Sequence, residues 1–131
     1  MNNQIEEPVP QGKMAIRTIS MPKDTNPHGD IFGGWVVSQM DLAAASIARH
    51  HAKSRVVTIA IDSMVFIAPI RVGDIVCCYA DVKKVGNTSM VIKVETWVLR
   101  AEDEARCKVT EGVFTFVAID AKGKSRPVIR P

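Results

Sequence analysis

Hydrophobic and polar positions change rhythm repeatedly along the chain, and each change predicts an element. Met14–Ser20 (MAIRTIS) alternates apolar and polar residues, the period of a first strand. MPKDTNPHGD follows, dense in Pro, Asn, Asp and Gly, which is loop chemistry. From Gly33 to His51 the alternation vanishes: apolar or small side chains occupy nearly every helical face, without a proline. That run is too long for one strand and predicts a helix buried on several sides. Four strand-like runs come next: Arg55–Ile67, Asp74–Val85, Thr88–Arg100 and Arg106–Ile119. PIRVGD, VGN and AEDEA separate them, each short enough to join antiparallel neighbours. The ending DAKGKSRPVIRP reads as a turn and a loose end.

The order strand, helix, four strands predicts an α+β fold: one long helix on one curved antiparallel sheet of about five strands, satisfying the two-layer rule. Residues 13–128 form the single domain, with 1–12 as a flexible arm and 129–131 as a tail. One helix covers one face of such a sheet and leaves its edges free. Long Val/Ile-rich edges invite pairing with another chain, so a side-by-side dimer is expected.

Composition narrows the function classes. Hydrophobic residues make up 47% of the chain, enough for a core, and the net charge of +3 is too small for a nucleic-acid partner. A small cluster at Lys122, Lys124 and Arg126 suits a phosphate ligand instead. Cys77, Cys78 and Cys107 are odd in number and lack metal spacing, which points to reduced core thiols and a cytoplasmic location. His28, His50 and His51 form no zinc pattern. No metal, cofactor or membrane insertion is expected, since no apolar run has transmembrane length.

Asp41 stands out because it sits inside the small-residue helix, near Val37, Ser38, Ala44 and Ala45 at spacings of three and four. Burying an unpaired carboxylate is costly, so Asp41 is either solvated at the helix rim or kept in a dry pocket as base or nucleophile. Gly33 and Gly34 fall where the helix begins, and free N–H groups there bind anions and polarised carbonyl oxygens. Donor pair and carboxylate are the parts of an acyl-transfer site. Eight residues separate Gly33 from Asp41, roughly 12 Å of helix. One carbonyl carbon cannot touch both in one chain, so a two-fold dimer would have to bring them together.

The stretch TNPHGDIFGGWVVSQMD, with FIAPIRVGD, KVGNTSMVIKVETWV and VTEGVFTFVAID, resembles the hotdog-fold acyl-CoA thioesterases, closest to the bacterial YciA-like group. The resemblance implies a long helix wrapped by an antiparallel sheet, with dimers assembled into tetramers or hexamers. Asp41 matches the catalytic carboxylate, acting as general base or nucleophile. Gly33 or Gly34 matches the N–H donor to the thioester carbonyl, and Asn26 a polar side chain that assists in the pocket or, equally, an Asn-Pro turn. Ala45 replaces the Ser or Thr found in some relatives one turn after the carboxylate, leaving Ser63 or Ser38 as partners for a water. Lys84, Thr88 and Ser89 would contact the pantetheine or phosphates of coenzyme A, which is substrate and product rather than cofactor, and Lys124 and Arg126 its phosphates. Trp35, Val65 and Phe66 would line the acyl pocket. Two other readings use the same residues: a non-catalytic acyl-CoA sensor, and a dehydratase employing His28 with Asp41.

Overall fold

The computed structural model describes residues 9–128; the first part of the arm expected over 1–12, and the tail 129–131, lie outside the described residues. Five strands and one long helix follow in the order β1 (Lys13–Ile19), α1 (Gly33–Ala52), β2 (Arg55–Phe66), β3 (Ile75–Val85), β4 (Ser89–Leu99) and β5 (Arg106–Ile119), with a single 3-10 turn at Pro22–Asp24. All strand pairs are antiparallel, in the spatial order β1-β3-β4-β5-β2.

The helix forms where the alternation stops, and its composition explains how it is packed. Ala43, Ala44, Ala48 and Ala52 are fully buried, and α1 touches all five strands. Alanine keeps the helix close to the sheet while imposing little rotamer cost. From the sheet, Met90, Ile92 and Val94 of β4 and Phe114 and Phe116 of β5 fill the same core at alternate positions, as the two-residue period requires. Cys77 and Cys78 are buried free thiols. Burial pushes the Cys78 thiol up to about 11, which removes it as a nucleophile. Among the described residues no helix is long and apolar enough to cross a membrane.

Two sequence expectations need correction. The PIRVGD segment does not join neighbours: β2 pairs with β5 and β3 with β1, so the connection crosses the end of the sheet. Three strand gaps, about 14 Å, are well within reach of that segment. It is pinned by a buried carboxylate rather than by a hairpin turn. Asp74 accepts hydrogen bonds from the N–H of Arg71 (2.9 Å) and Ala101 (3.3 Å) and pairs with Arg100 (2.6 Å). The chain after β5 is also not loose. Arg126 N–H donates to Ala118 O (2.9 Å), Val128 N–H to Asn87 O (2.8 Å), and Val128 is buried.

The sheet ends on β1 and β2, and β2 is the conspicuous edge. Val57, Ile59, Ile61, Val65 and Phe66 on β2, with Ile67 just beyond it, are exposed, as is Leu42 on the helix. A free, apolar edge of this length is stable in water only when something covers it.

Candidate active site

Asp41 lies in the middle of α1, half-buried, where the helix passes the free edge. Thr58 of β2 faces it, and the Thr58 hydroxyl donates to Asp41 Oδ1 at 2.7 Å. The strand places Thr58 there because Val56 and Thr58 pair with Ala118 and Phe116, on the helix side of the sheet. The register then shifts between Thr58 and Ala60. The hydroxyl orients the carboxylate and leaves Oδ2 without a protein partner among the described residues. Thr58→Val is expected to lower kcat roughly 10- to 100-fold, the worth of one charge-assisted hydrogen bond, with the fold intact by circular dichroism.

The second component is the start of the helix. Gly33 is its first residue, the preceding Phe32 supplies no side-chain cap, and Phe32 O takes the N–H of Trp35 and Val36. The N–H groups of Gly33 and Gly34 have no partner among the described residues. A Cβ at Gly34 would meet nothing, whereas one at Gly33 would touch the Phe66 ring at 3.3 Å. Gly33 and Phe66 belong to an apolar hollow of about 280 Å³ walled also by Ile31, Val36 and the Ile67–Ile70 segment.

The remaining sequence-derived residues fall as follows. Asn26 Oδ1 accepts from the N–H of His28 (2.9 Å) and Asp30 (3.1 Å), so its carbonyl shapes the loop before the helix while its amide nitrogen stays unengaged. Trp35 is half-buried and packs on the core. Val65 shares its side of the sheet with Glu111, across from the hollow that Phe66 lines. Ser38 and Ser63 are exposed; neither bonds to Asp41, whose partner is Thr58. Thr88 and Ser89 sit at the β3–β4 turn near Lys84, and the segment carrying Lys124 and Arg126 docks beside that turn through Val128 and Asn87. Those five residues therefore gather at one end of the sheet. Sequence reasoning missed Thr58, because a threonine in a Val/Ile-rich run is also an ordinary strand former.

A lone helix wrapped by a five-strand antiparallel sheet, with a mid-helix carboxylate and an uncapped Gly-Gly start, defines a hotdog protein of the thioesterase class. The chain belongs to the thioesterase superfamily, whose model matches residues 28–105. It is 53% identical over 123 residues to a Haemophilus influenzae protein named as an uncharacterised acyl-CoA thioester hydrolase, covering 92% of this chain and 80% of that one. It is 49% identical over 121 residues to the acyl-CoA thioester hydrolase YciA of Escherichia coli K12, covering 90% and 92%. The structure superimposes on a hexameric hotdog fold thioesterase of Campylobacter jejuni with a TM-score of 0.86 and 42% identity, covering 90% and 91% of the two chains.

Proposed function

We propose that this chain hydrolyses acyl-CoA thioesters to the free acid and coenzyme A, at a site completed by a second copy. The observation that carries the reading is the Thr58-held Asp41 carboxylate beside an uncovered strand edge, with unbonded Gly33 and Gly34 N–H groups on the same helix. The helix separates them by roughly 12 Å, so the donors that serve one Asp41 come from the neighbouring copy. A two-fold axis between paired β2 strands supplies this arrangement twice.

In the general-base path, Asp41 takes a proton from water as its oxygen bonds to the thioester carbon. The carbonyl oxygen becomes an oxyanion held by the neighbour's glycine N–H groups. The carbon–sulfur bond then breaks and the leaving thiolate recovers the proton. In the nucleophilic path, an Asp41 oxygen bonds to the thioester carbon and the carbon–sulfur bond breaks, releasing the coenzyme A thiolate; water then hydrolyses the mixed anhydride to the free acid and the Asp41 carboxylate, and the proton set free goes to the thiolate. The acyl chain occupies the hollow beside Phe66, and Lys84, Thr88, Ser89, Lys124 and Arg126 contact the coenzyme A portion. The Asn26 amide stands free to help hold substrate. A panel of acyl-CoA esters of graded length, assayed by free-thiol release, tests the reading; no release from any of them would refute it.

The same reading makes the assembly obligatory. Ile61 is exposed on the helix side of β2, opposite Phe114. Ile61→Lys places a charge in the seam, and sedimentation is expected to register mostly monomers, with turnover per chain lowered roughly tenfold or more.

A further inference from the structure

The hollow beside Gly33 and Phe66 is apolar with one exception. Among the described residues that wall its volume of about 280 Å³, Thr110 alone has a polar side chain. Thr110 stands where β5 and β2 part. It pairs with Phe66, and beyond that pair the N–H groups of Ile67 and Ala68 both turn to Val109 O (2.7 and 3.2 Å). The Thr110 side chain faces the helix, because it pairs with Thr96 of β4 and directly opposed residues share a face. Thr96 marks that face by lying against the buried Cys78, Oγ1 to Sγ at 3.4 Å.

The two threonines differ in one respect. Thr96 has Cys78 as a partner, whereas the Thr110 hydroxyl makes no hydrogen bond to any described residue, although Thr110 is only 1% exposed. Every fully enclosed side-chain nitrogen and oxygen among the described residues has a partner. Thr110 Oγ1 has none, so it is not enclosed: it opens on the hollow that Thr110 lines. A valine would fill this strand position equally well without a hydroxyl to desolvate. The hydroxyl gains its partner from what enters the hollow.

We propose that Thr110 is a specificity-determining residue that favours acyl chains bearing a hydroxyl or keto oxygen close to the thioester, an assignment that rests on the thioesterase reading of Asp41. Gly33, the oxyanion donor, walls the same hollow. A Cβ on Gly33 would lie 3.3 Å from the Phe66 ring, and the Cα atoms of a directly opposed pair such as Phe66 and Thr110 stand roughly 5 Å apart. A carbonyl held at Gly33 therefore sends the first carbons of its acyl chain past Phe66 toward the Thr110 hydroxyl. That hydroxyl offers one donor and two lone pairs, so it serves a substrate hydroxyl and a keto oxygen alike. Ile31, Val36 and Ile70 give the rest of the wall no polar side chain to compete for that oxygen.

The test compares 3-hydroxybutyryl-CoA with butyryl-CoA by free-thiol release. The wild-type protein is expected to favour the hydroxylated ester roughly 3- to 10-fold in kcat/KM, the worth of one neutral hydrogen bond. Thr110→Val removes the hydroxyl at nearly constant volume. It should erase the preference, with butyryl-CoA turnover within about twofold of wild type and the thermal midpoint unchanged or higher, since no bond within the protein is lost. Thr110→Ser keeps the hydroxyl and should keep the preference. A wild-type protein without the preference, a Val variant that retains it, or a Ser variant that loses it overturns the assignment. Should neither ester be cleaved, the thioesterase reading falls and calorimetry with the intact esters tests Thr110 separately. Tighter binding of the hydroxylated ester that disappears in Thr110→Val upholds the role of the hydroxyl, and equal affinities overturn it.

Discussion

Asp41→Asn is expected to lower free-thiol release from acyl-CoA by roughly three orders of magnitude or more, because in the proposed mechanism it removes the group that takes the proton from water or attacks the thioester carbon. The substitution suits the question because so little else changes. Asn keeps the size of the side chain and retains a carbonyl oxygen for the 2.7 Å bond from the Thr58 hydroxyl. Asp41 makes no ion pair among the described residues that its loss would strand. The oligomer, the thermal midpoint and coenzyme A affinity by calorimetry should therefore match the wild-type protein. That combination separates the hydrolase from an acyl-CoA sensor, in which neither binding nor residual thiol release would depend on the carboxylate. Substantial turnover in the Asn variant would remove Asp41 from the chemistry altogether.

The helix and the helix-facing residues of the sheet were legible because they carry periodic patterns. Of the alanines between Ala43 and Ala52, Ala43, Ala44, Ala48 and Ala52 are fully buried and Ala45 partly, but the helix is not covered on every side as its composition suggested: Ser38, Leu42, Ser46 and Arg49 leave one face exposed. Alternation in β4 likewise tells which residues face the helix. Strand order was not legible, since a two-residue period assigns a face and says nothing about neighbours. The crossing from β2 to β3 depends on Asp74, whose partners Arg71, Arg100 and Ala101 are brought together only by folding. Docking of the last residues was hidden for a related reason: it uses backbone groups of Arg126 and Val128 and a single buried side chain, Val128, too short a signal to show as a periodic pattern. At the site, Asp41 and the glycines could be singled out because a carboxylate and a Gly-Gly pair are conspicuous in an apolar helix. Thr58 could not, because only the tertiary contact between α1 and β2 makes it a neighbour of Asp41.

Gly34→Pro is expected to cut kcat roughly 10²- to 10³-fold, the usual consequence of deleting one oxyanion donor, while Gly34→Ala stays near wild type. The pair isolates a backbone N–H, which ordinary side-chain substitutions cannot reach. Proline is tolerated in the first turn of a helix, where the N–H has no intrahelical acceptor to lose, and the Gly34 N–H has none among the described residues. A Cβ at this position meets no atom within 4 Å, so the alanine variant is not crowded within its own chain, and retention of the oligomer and of the circular dichroism spectrum checks that the proline variant folds. Both remove glycine's flexibility; only proline removes the donor. Mixed oligomers sharpen the result. Gly34→Pro chains combined with Asp41→Asn chains should recover activity at sites where an intact Asp41 of the first meets an intact Gly34 of the second. Complementation requires the two groups to act from different copies, as their separation along one helix demands. If the proline variant instead behaves like the alanine variant, the Gly34 N–H does not hold the oxyanion.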